Sequence, residues 1–493
     1  MISAHLPILQ VVSPLMAAPL CVILRRATLA WMVALAVTWG ALAIAVLLLL
    51  QVVETGPIVY AIGDWAAPWG IEYRIDMVSA FVLVIVSAIG SAIMPYAKVS
   101  VENEFASDMI YLFYTMYLLC FTGLLGIAIT GDAFNLFVFL EISSLSSYVL
   151  ISLGRDTRAL SAAFRYLIMG TIGATFYVIG VGMLYMMTGT LNIADLATLV
   201  PAIAESRTVM VALAFLVVGL SLKLALFPLH QWLPDAYAYA PSVVTAFLAS
   251  TATKVAVYAL IRILFTIFGG VGVVAEMPLG WILLGLALAA MFAGSAVAIN
   301  QTNVKRMLAY SSVAQIGYMI LGLSLASVTG LTGSIVHLFN HALVKCALFM
   351  AMGCIFLRLG SVNAWDLEGL GRRMPATMAA FVVAGLSLIG IPLTVGFISK
   401  WYLIQAALEK GWWPIAVAVL LSSLLAVIYI WRIVETAYFR PVREGAGPVA
   451  EAPLSMLVPM WLLTLACVYF GIDATRTIDI ASGAARYLLE GLQ

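Results

Sequence analysis

Runs of 18 or more apolar residues recur along the whole chain, separated by short polar connections. As helices, such runs cross a hydrocarbon core of about 30 Å, and no succession of ten-residue alternating segments points to a membrane barrel. The pattern predicts an all-α integral membrane protein with about fourteen transmembrane helices, at 7–24, 28–53, 77–97, 109–129, 132–153, 161–188, 208–238, 241–268, 277–299, 307–328, 330–358, 376–406, 412–438 and 453–471. The first run has no basic residue ahead of it and is followed directly by Arg25 and Arg26, so it reads as a retained helix. One longer connection, 54–76, is rich in Gly, Pro and aromatic residues and predicts a hairpin on the membrane surface. After the last span, 472–493 has room for a short surface helix at most.

Composition agrees: 64% of residues are hydrophobic and 10% charged, and the mean hydropathy is +1.11. A net charge of +1 implies no nucleic acid or other polyanionic partner. Charge placement says more. Arg25, Arg26, Lys98, Arg155, Arg158, Arg165, Lys305, Arg306, Arg358, Arg372, Arg373, Arg440 and Arg443 fall on connections of one side; Arg74, Arg207, Lys410, Arg476 and Arg486 fall on the other. By the positive-inside rule both termini face away from the cytoplasm of a prokaryotic cell membrane. Against this trend, the acidic segment VENEFASD, 101–108, lies on the basic side. The five cysteines are scattered through apolar spans without a CxxC pair, which reads as packing and indicates neither disulfides nor an iron–sulfur site. With no glycine-rich phosphate loop, no cofactor is expected, and energy must come from an ion gradient or from partner subunits.

Two blocks of five spans, 109–268 and 277–438, follow an N-terminal group at 1–108 and precede a C-terminal span and tail at 439–493. An odd number of spans per block inverts the second against the first, as in the inverted repeats of secondary transporters. GLSL at 219–222 leads into Lys223 and Pro228, and GLSL at 385–388 leads into Pro392 and Lys400; the same tetrapeptide at 322–325 shows how little it proves alone. The matched proline and lysine are the better signal. A proline within a span frees backbone carbonyls, which lipid does not satisfy and protein or water must, so Pro228 and Pro392 mark two broken helices.

Glu141, Lys223, Lys254, Lys345 and Lys400 lie deep in spans. A mid-helix lysine costs about 2.5 to 3.5 kcal/mol on insertion scales. Any one of them is open to a reading as a snorkelling residue or a structural ion pair, which suits Arg262 and Arg358 near span ends. That reading works poorly for HLFNHALVKCALF, where His337, His341 and Lys345 recur at i, i+4 and i+8 on one face. Two histidines four apart also suit metal or haem, but no carboxylate or cysteine ligand set accompanies them. Proton relay uses these residue types best, because burial disfavours the charged forms of lysine and carboxylate while histidine titrates near neutrality. A Glu141–Lys223 pair would work as a switch.

Read together, FNLFVFLEISSLSSYVLI at 134–151, LKLALFPLHQWLPDAYAYAPSVVTAFLASTATKVAVYALIR at 222–262, NQTNVKRMLAYSSVAQIGYMILGL at 300–323 and HLFNHALVKCALFM resemble the antiporter-like subunits shared by respiratory complex I, membrane-bound hydrogenases and Mrp-type cation/proton antiporters. The resemblance covers essentially the whole chain. It implies a polar axis at mid-membrane: an essential glutamate at Glu141, lysines at Lys223 and Lys254, central histidine and lysine roles at His337 and Lys345 with His341 beside them, and Lys400 at the second broken helix. It also implies a non-enzymatic transporter subunit, with other subunits, protons, Na+ or K+, and lipids as partners. Lys400 and the phrasing of the fifth and seventh spans resemble the D-type branch of Mrp subunits most, with a proton-pumping subunit of a redox complex as the alternative.

Overall fold

The computed structural model describes residues 2–154, 156–269, 278–442 and 447–490. Arg155 and Arg443, two of the basic residues assigned to one side by sequence, lie outside the described residues. The N-terminal group comprises α1 (Leu6–Leu24), α2 (Ala27–Thr55), the strands β1 (Ile58–Ala61) and β2 (Glu72–Ile75), and α3 (Met77–Glu104). Then come α4 (Ile110–Ile129), α5 (Ala133–Ser152), α6 (Thr157–Thr188), the short α7 (Ile193–Leu199), α8 (Arg207–Leu224), α9 (Trp232–Tyr239) and α10 (Ser242–Ile261). The second half holds α11 (Leu279–Ile299), α12 (Val304–Ser324), α13 (Val328–Leu359), α14 (Leu370–Arg373), α15 (Pro375–Ile389), α16 (Val395–Glu409), α17 (Trp413–Phe439), α18 (Leu454–Ile472) and α19 (Thr475–Glu490). Among the described residues, thirteen helices are long and apolar enough to cross a membrane; α15, shorter, joins α16 across a break to make the fourteenth span.

The spans start where the sequence supplies a cap. Asp76 accepts from the Ser79 amide at 3.0 Å, Asp132 from Asn135 at 2.7 Å, Asn303 from Arg306 at 2.9 Å and Ser327 from Gly330 at 3.1 Å, each satisfying an amide that lipid cannot. The 54–76 connection is the expected hairpin, with Ile58 paired to Ile75 and Tyr60 to Tyr73. Burial ranks the spans. The best 18-residue windows of α10 and α12 are 94% buried, against 28% for α2 and 33% for α17. Lys254 thus sits on one of the two most buried spans, α10, while the peripheral α2 and α17 present apolar side chains outward.

The repeat is carried by geometry more than by GLSL. Ala133 N–H donates to Leu191 O and Ile193 N–H to Gly131 O, both at 2.8 Å, tying the start of α5 to the connection after α6. In the second block Val304 N–H donates to Val362 O and Ala364 N–H to Thr302 O, both at 2.9 Å. Each residue of the second bridge stands 171 positions after its counterpart, and α6 and α13 are both 32 residues long. The two bridges lie at opposite ends of the bundle, as an inverted repeat requires.

Both proline breaks are present and are wider than kinks. The 208–238 span is interrupted after Leu224: Ala225 is left-handed (φ 60°), and 225–231, including Pro228, is irregular before α9. The 376–406 span is interrupted at 390–394, with Gly390 (φ 90°) and Leu393 (φ 70°) left-handed around Pro392. The tail is more than a surface appendage: α19 lays Ala481, Ala484, Ala485 and Leu488 against α3 and α13.

Candidate functional site

The intramembrane lysines and histidines singled out in the sequence sit inside the bundle, while the two prolines at the breaks, Pro228 and Pro392, are exposed. Lys345 is 0% exposed, Lys254 1%, His337 and His341 2%, and Lys223 and Lys400 5%. At such depth each needs a partner, and the partners differ. Lys223, on the last turn of α8, meets Glu141 Oε1 of α5 at 3.0 Å and Ser144 Oγ at 2.7 Å. The Glu141 side chain is 22% exposed, so the pair stands at the edge of the buried region. Close approach of α6 and α8 at Gly173 and Gly219 sets this register, since a Cβ on Gly219 would lie 2.6 Å from Gly173 O.

The break after Lys223 leaves the end of α8 short of donors. The Trp232 indole N–H answers the Leu222 carbonyl at 3.0 Å while its ring stacks on Tyr166 with centroids 3.8 Å apart. Across the second break Lys400 does the equivalent, donating to Leu388 O at 3.2 Å and Ile389 O at 2.7 Å, the final carbonyls of α15, with Tyr318 beneath it.

Between the breaks, Lys254 on α10 donates to Ala249 O and Thr253 Oγ1, and Lys345 on α13 donates to Leu308 O at 2.7 Å and to Ser311 Oγ. Neither has a carboxylate partner among the described residues. His337 Nδ1 meets Ser399 Oγ at 2.9 Å, and its ring stacks over His341, centroids 6.1 Å apart. His341 has both ring nitrogens, and His337 its Nε2, buried without a protein partner among the described residues. Lys254 lies within electrostatic reach of His341, His337 and Lys345, and Lys400 within reach of His337. The structure therefore gathers Lys254, Lys345, His341, His337 and Lys400 into one group and Glu141 with Lys223 into another. The two groups join through the packing of α8 on α10, with no direct hydrogen bond between Lys223 and Lys254 among the described residues.

Sequence reasoning missed the serines that hold these side chains, Ser144, Ser311 and Ser399, because serines are frequent in the spans and give no periodic signal. It also placed Lys305 on a surface connection. Lys305 is instead buried, with Nζ 3.0 Å from Ser242 Oγ at the start of α10. Glu104, from the acidic segment that ran against the charge trend, accepts the Ser242 amide at 2.9 Å and so caps α10 beside Lys305. A cavity of about 400 Å³ lined by Glu104, Lys305, Asp156 and Arg158 opens there, at the end of α3 opposite the hairpin. Outside the spans, hydrogen bonds and charge from Arg158 hold the Asp156 carboxyl below its ordinary value.

Comparison with known proteins fits this arrangement. Residues 130–426, more than half of the chain, match the family described as NADH:quinone oxidoreductase/Mrp antiporter, TM. The chain is 44% identical to the NADH-quinone oxidoreductase subunit N of Desulforudis audaxviator, with 97% of each chain covered. It is 32% identical to the D-type subunit of the Na(+)/H(+) antiporter of Alkalihalophilus pseudofirmus, with 86% of each covered. Among solved structures it superposes on a chain of the Mrp complex from Dietzia sp. with a TM-score of 0.91 at 28% identity, covering 99% of this chain and 98% of that one. The fit to a chain of respiratory complex I from Thermus thermophilus has a TM-score of 0.76 at 26% identity, covering 98% and 100%. By family match, identity and fold, this chain belongs to the NADH:quinone oxidoreductase/Mrp antiporter transmembrane family, as an antiporter-like membrane subunit of an Mrp-type or complex I-type assembly.

Proposed function

We propose that this subunit moves protons along the row from Glu141 and Lys223, through Lys254, His341 with Lys345, and His337, to Lys400. The observation that carries the reading is the set of four mid-span lysines, Lys223, Lys254, Lys345 and Lys400, each at most 5% exposed, of which Lys223 alone forms an ion pair with a carboxylate among the described residues. A buried ammonium held by carbonyls and hydroxyls is expensive, and pure packing gives no reason to keep four of them. The unpartnered nitrogens of His337 and His341 support the same reading, because buried polar groups demand partners and bridging water supplies them together with a path for protons. Forming and separating the Glu141–Lys223 pair changes the charge that Lys254 faces, which pushes a proton onward.

The driving reaction we favour is monovalent cation/proton exchange within a multisubunit antiporter, supported by the likeness to the antiporter's D-type relative and the fit to the Mrp complex chain. The 44% identity to a quinone oxidoreductase subunit favours the second reading, proton pumping driven by a redox reaction elsewhere in the complex. Cation-dependent proton flux in everted vesicles holding the native complex separates the two. Flux driven by Na+ or K+ without an electron donor, and lost in Lys223→Ala, supports exchange. Flux that awaits a reduced donor moves the chain to the redox class, and an unimpaired Lys223→Ala refutes the axis itself.

A further inference from the structure

The hairpin face of the bundle holds a second cavity, of about 210 Å³, which the row of lysines does not use. Its wall includes Arg74, Asp76, Thr130, Arg262, Thr266 and Tyr487, and α19 contributes its edge through Tyr487 and Leu488. At its floor stand Arg262 and Asp76, 8% and 4% exposed. Arg262 lies eight residues after Lys254 on α10 with Tyr258 midway, so all three share one helical face and the floor is about 12 Å from Lys254 along the helix axis. From Arg262 to Ile267 the helix widens into a π turn, a local irregularity that clusters at functional sites. Nothing in the proposed row accounts for this arrangement.

The hydrogen bonds here are closed. The Arg262 guanidinium grips both Asp76 oxygens, reaching Oδ2 at 2.6 Å, and its second Nη donates to Ser79 Oγ at 2.8 Å. Its Nε donates to the Tyr258 hydroxyl at 2.9 Å. That hydroxyl donates its own hydrogen to Ala128 O at 2.9 Å and accepts from Ser79 Oγ at 2.9 Å, which exhausts its one donor and two acceptor sites. A carbonyl passes no proton on, and a guanidinium keeps all of its own. Burial alone would raise the Asp76 carboxyl, but the charge and hydrogen bonds of Arg262, with the Ser79 amide, hold it below the ordinary 3.8, so it stays ionised and paired. Among the side chains that line the cavity, two guanidiniums, Arg74 and Arg262, stand against one carboxylate, Asp76, and basic constrictions of this kind repel a hydrated proton in channels. His341, with two ring nitrogens unpartnered among the described residues, has the opposite character.

We infer that Asp76, Arg262, Tyr258 and Ser79 form an electrostatic plug that seals Lys254 from the hairpin-face cavity, so that protons on Lys254 leave only along the row toward the second block. The inference rests on Lys254 lying on the proton path. Passive proton permeability of vesicles holding the assembled native complex, with an imposed pH gradient and neither driving cation nor electron donor, tests it. Arg262→Gln should leak about tenfold faster than wild type, and Arg262→Gln with Lys254→Met should return to the wild-type rate. If Arg262→Gln does not assemble, Arg262→Gln with Asp76→Asn, which removes both charges of the pair and leaves no buried carboxylate unpaired, carries the same expectation. Assembled variants as tight as wild type overturn the plug, and so does a leak that survives Lys254→Met. Driven flux unchanged by Lys254→Met alone refutes the proton-path reading instead, which keeps the two failures distinct.

Discussion

Replacing Glu141 by Gln removes one charge from the site while preserving its shape. At 3.0 Å, Coulomb's law with an effective dielectric of 20 gives the Glu141–Lys223 contact about 5 kcal/mol. Because the glutamate is 22% exposed, solvent screens part of this, leaving about 2 to 3 kcal/mol. If pairing holds the ammonium in readiness for transfer, losing it lowers driven proton flux by about 30- to 160-fold, at 1.36 kcal/mol per decade. Flux is read by fluorescence quenching in everted vesicles, with assembly matched by co-purification of the other subunits. Glu141→Asp, shorter by one methylene but still charged, should retain part of the flux. Glu141→Gln with Lys223→Gln relieves the stranded buried charge and should recover stability without recovering flux. An assembled Glu141→Gln complex within threefold of wild-type flux would refute the reasoning.

Other expectations concern the breaks and the floor of the hairpin-face cavity. Trp232→Phe leaves the Leu222 carbonyl only the longer contact from the Ala225 amide, at 3.3 Å, and should lower stability by about 1 kcal/mol, read as a drop in Tm of the solubilised complex; an unchanged Tm contradicts the capping role. A Cβ on Gly396 would run into the Ser387 carbonyl oxygen, backbone that cannot yield, so Gly396→Ala should abolish assembly or cost more than about 3 kcal/mol, checked by co-purification and Tm. The Asp76 carboxyl sits below 3.8 in the folded protein, so its contribution is present above that value and is lost only as pH falls through the folded one. The Tm gap between wild type and Asp76→Asn should therefore hold from about pH 8 to about pH 5 and narrow below 3.8; a gap that closes between about pH 8 and about pH 6 contradicts the pairing.

The spans, the hairpin, both breaks and the lysines were legible because each follows from local chemistry: run length against bilayer thickness, turn residues, and charge where charge is costly. What stayed hidden is azimuth. Hydropathy reports how deep a residue lies and leaves open which neighbour it faces, so Arg262 read equally as a snorkelling residue or an ion pair until the fold brought it to Asp76, 186 positions away. Glu104 and Lys305 looked like surface charges for the same reason, since only the meeting of α3, α10 and α12 buries Lys305 and brings the half-buried Glu104 onto the start of α10. The repeat was sought in shared words such as GLSL, whereas its firmest trace is a spacing. Carrying His337, His341 and Lys345 back by the 171 residues that separate Ala133 from Val304 lands on Tyr166, Gly170 and Ala174, so the two blocks share a backbone plan while their side chains differ.

Lys400 holds the frayed end of α15 by its ammonium hydrogens. On the proposed row, a Lys400 that gave up a proton would meet the Leu388 and Ile389 carbonyls as a neutral amine with fewer hydrogens to share, and the negative end of the helix would lose its counter-charge. The site would then act as a latch as well as a titrating group. Gly390 and Leu393, both left-handed, would form the joint of such a latch, and any subunit resting on α16 would register the release as a shift of its neighbour's surface.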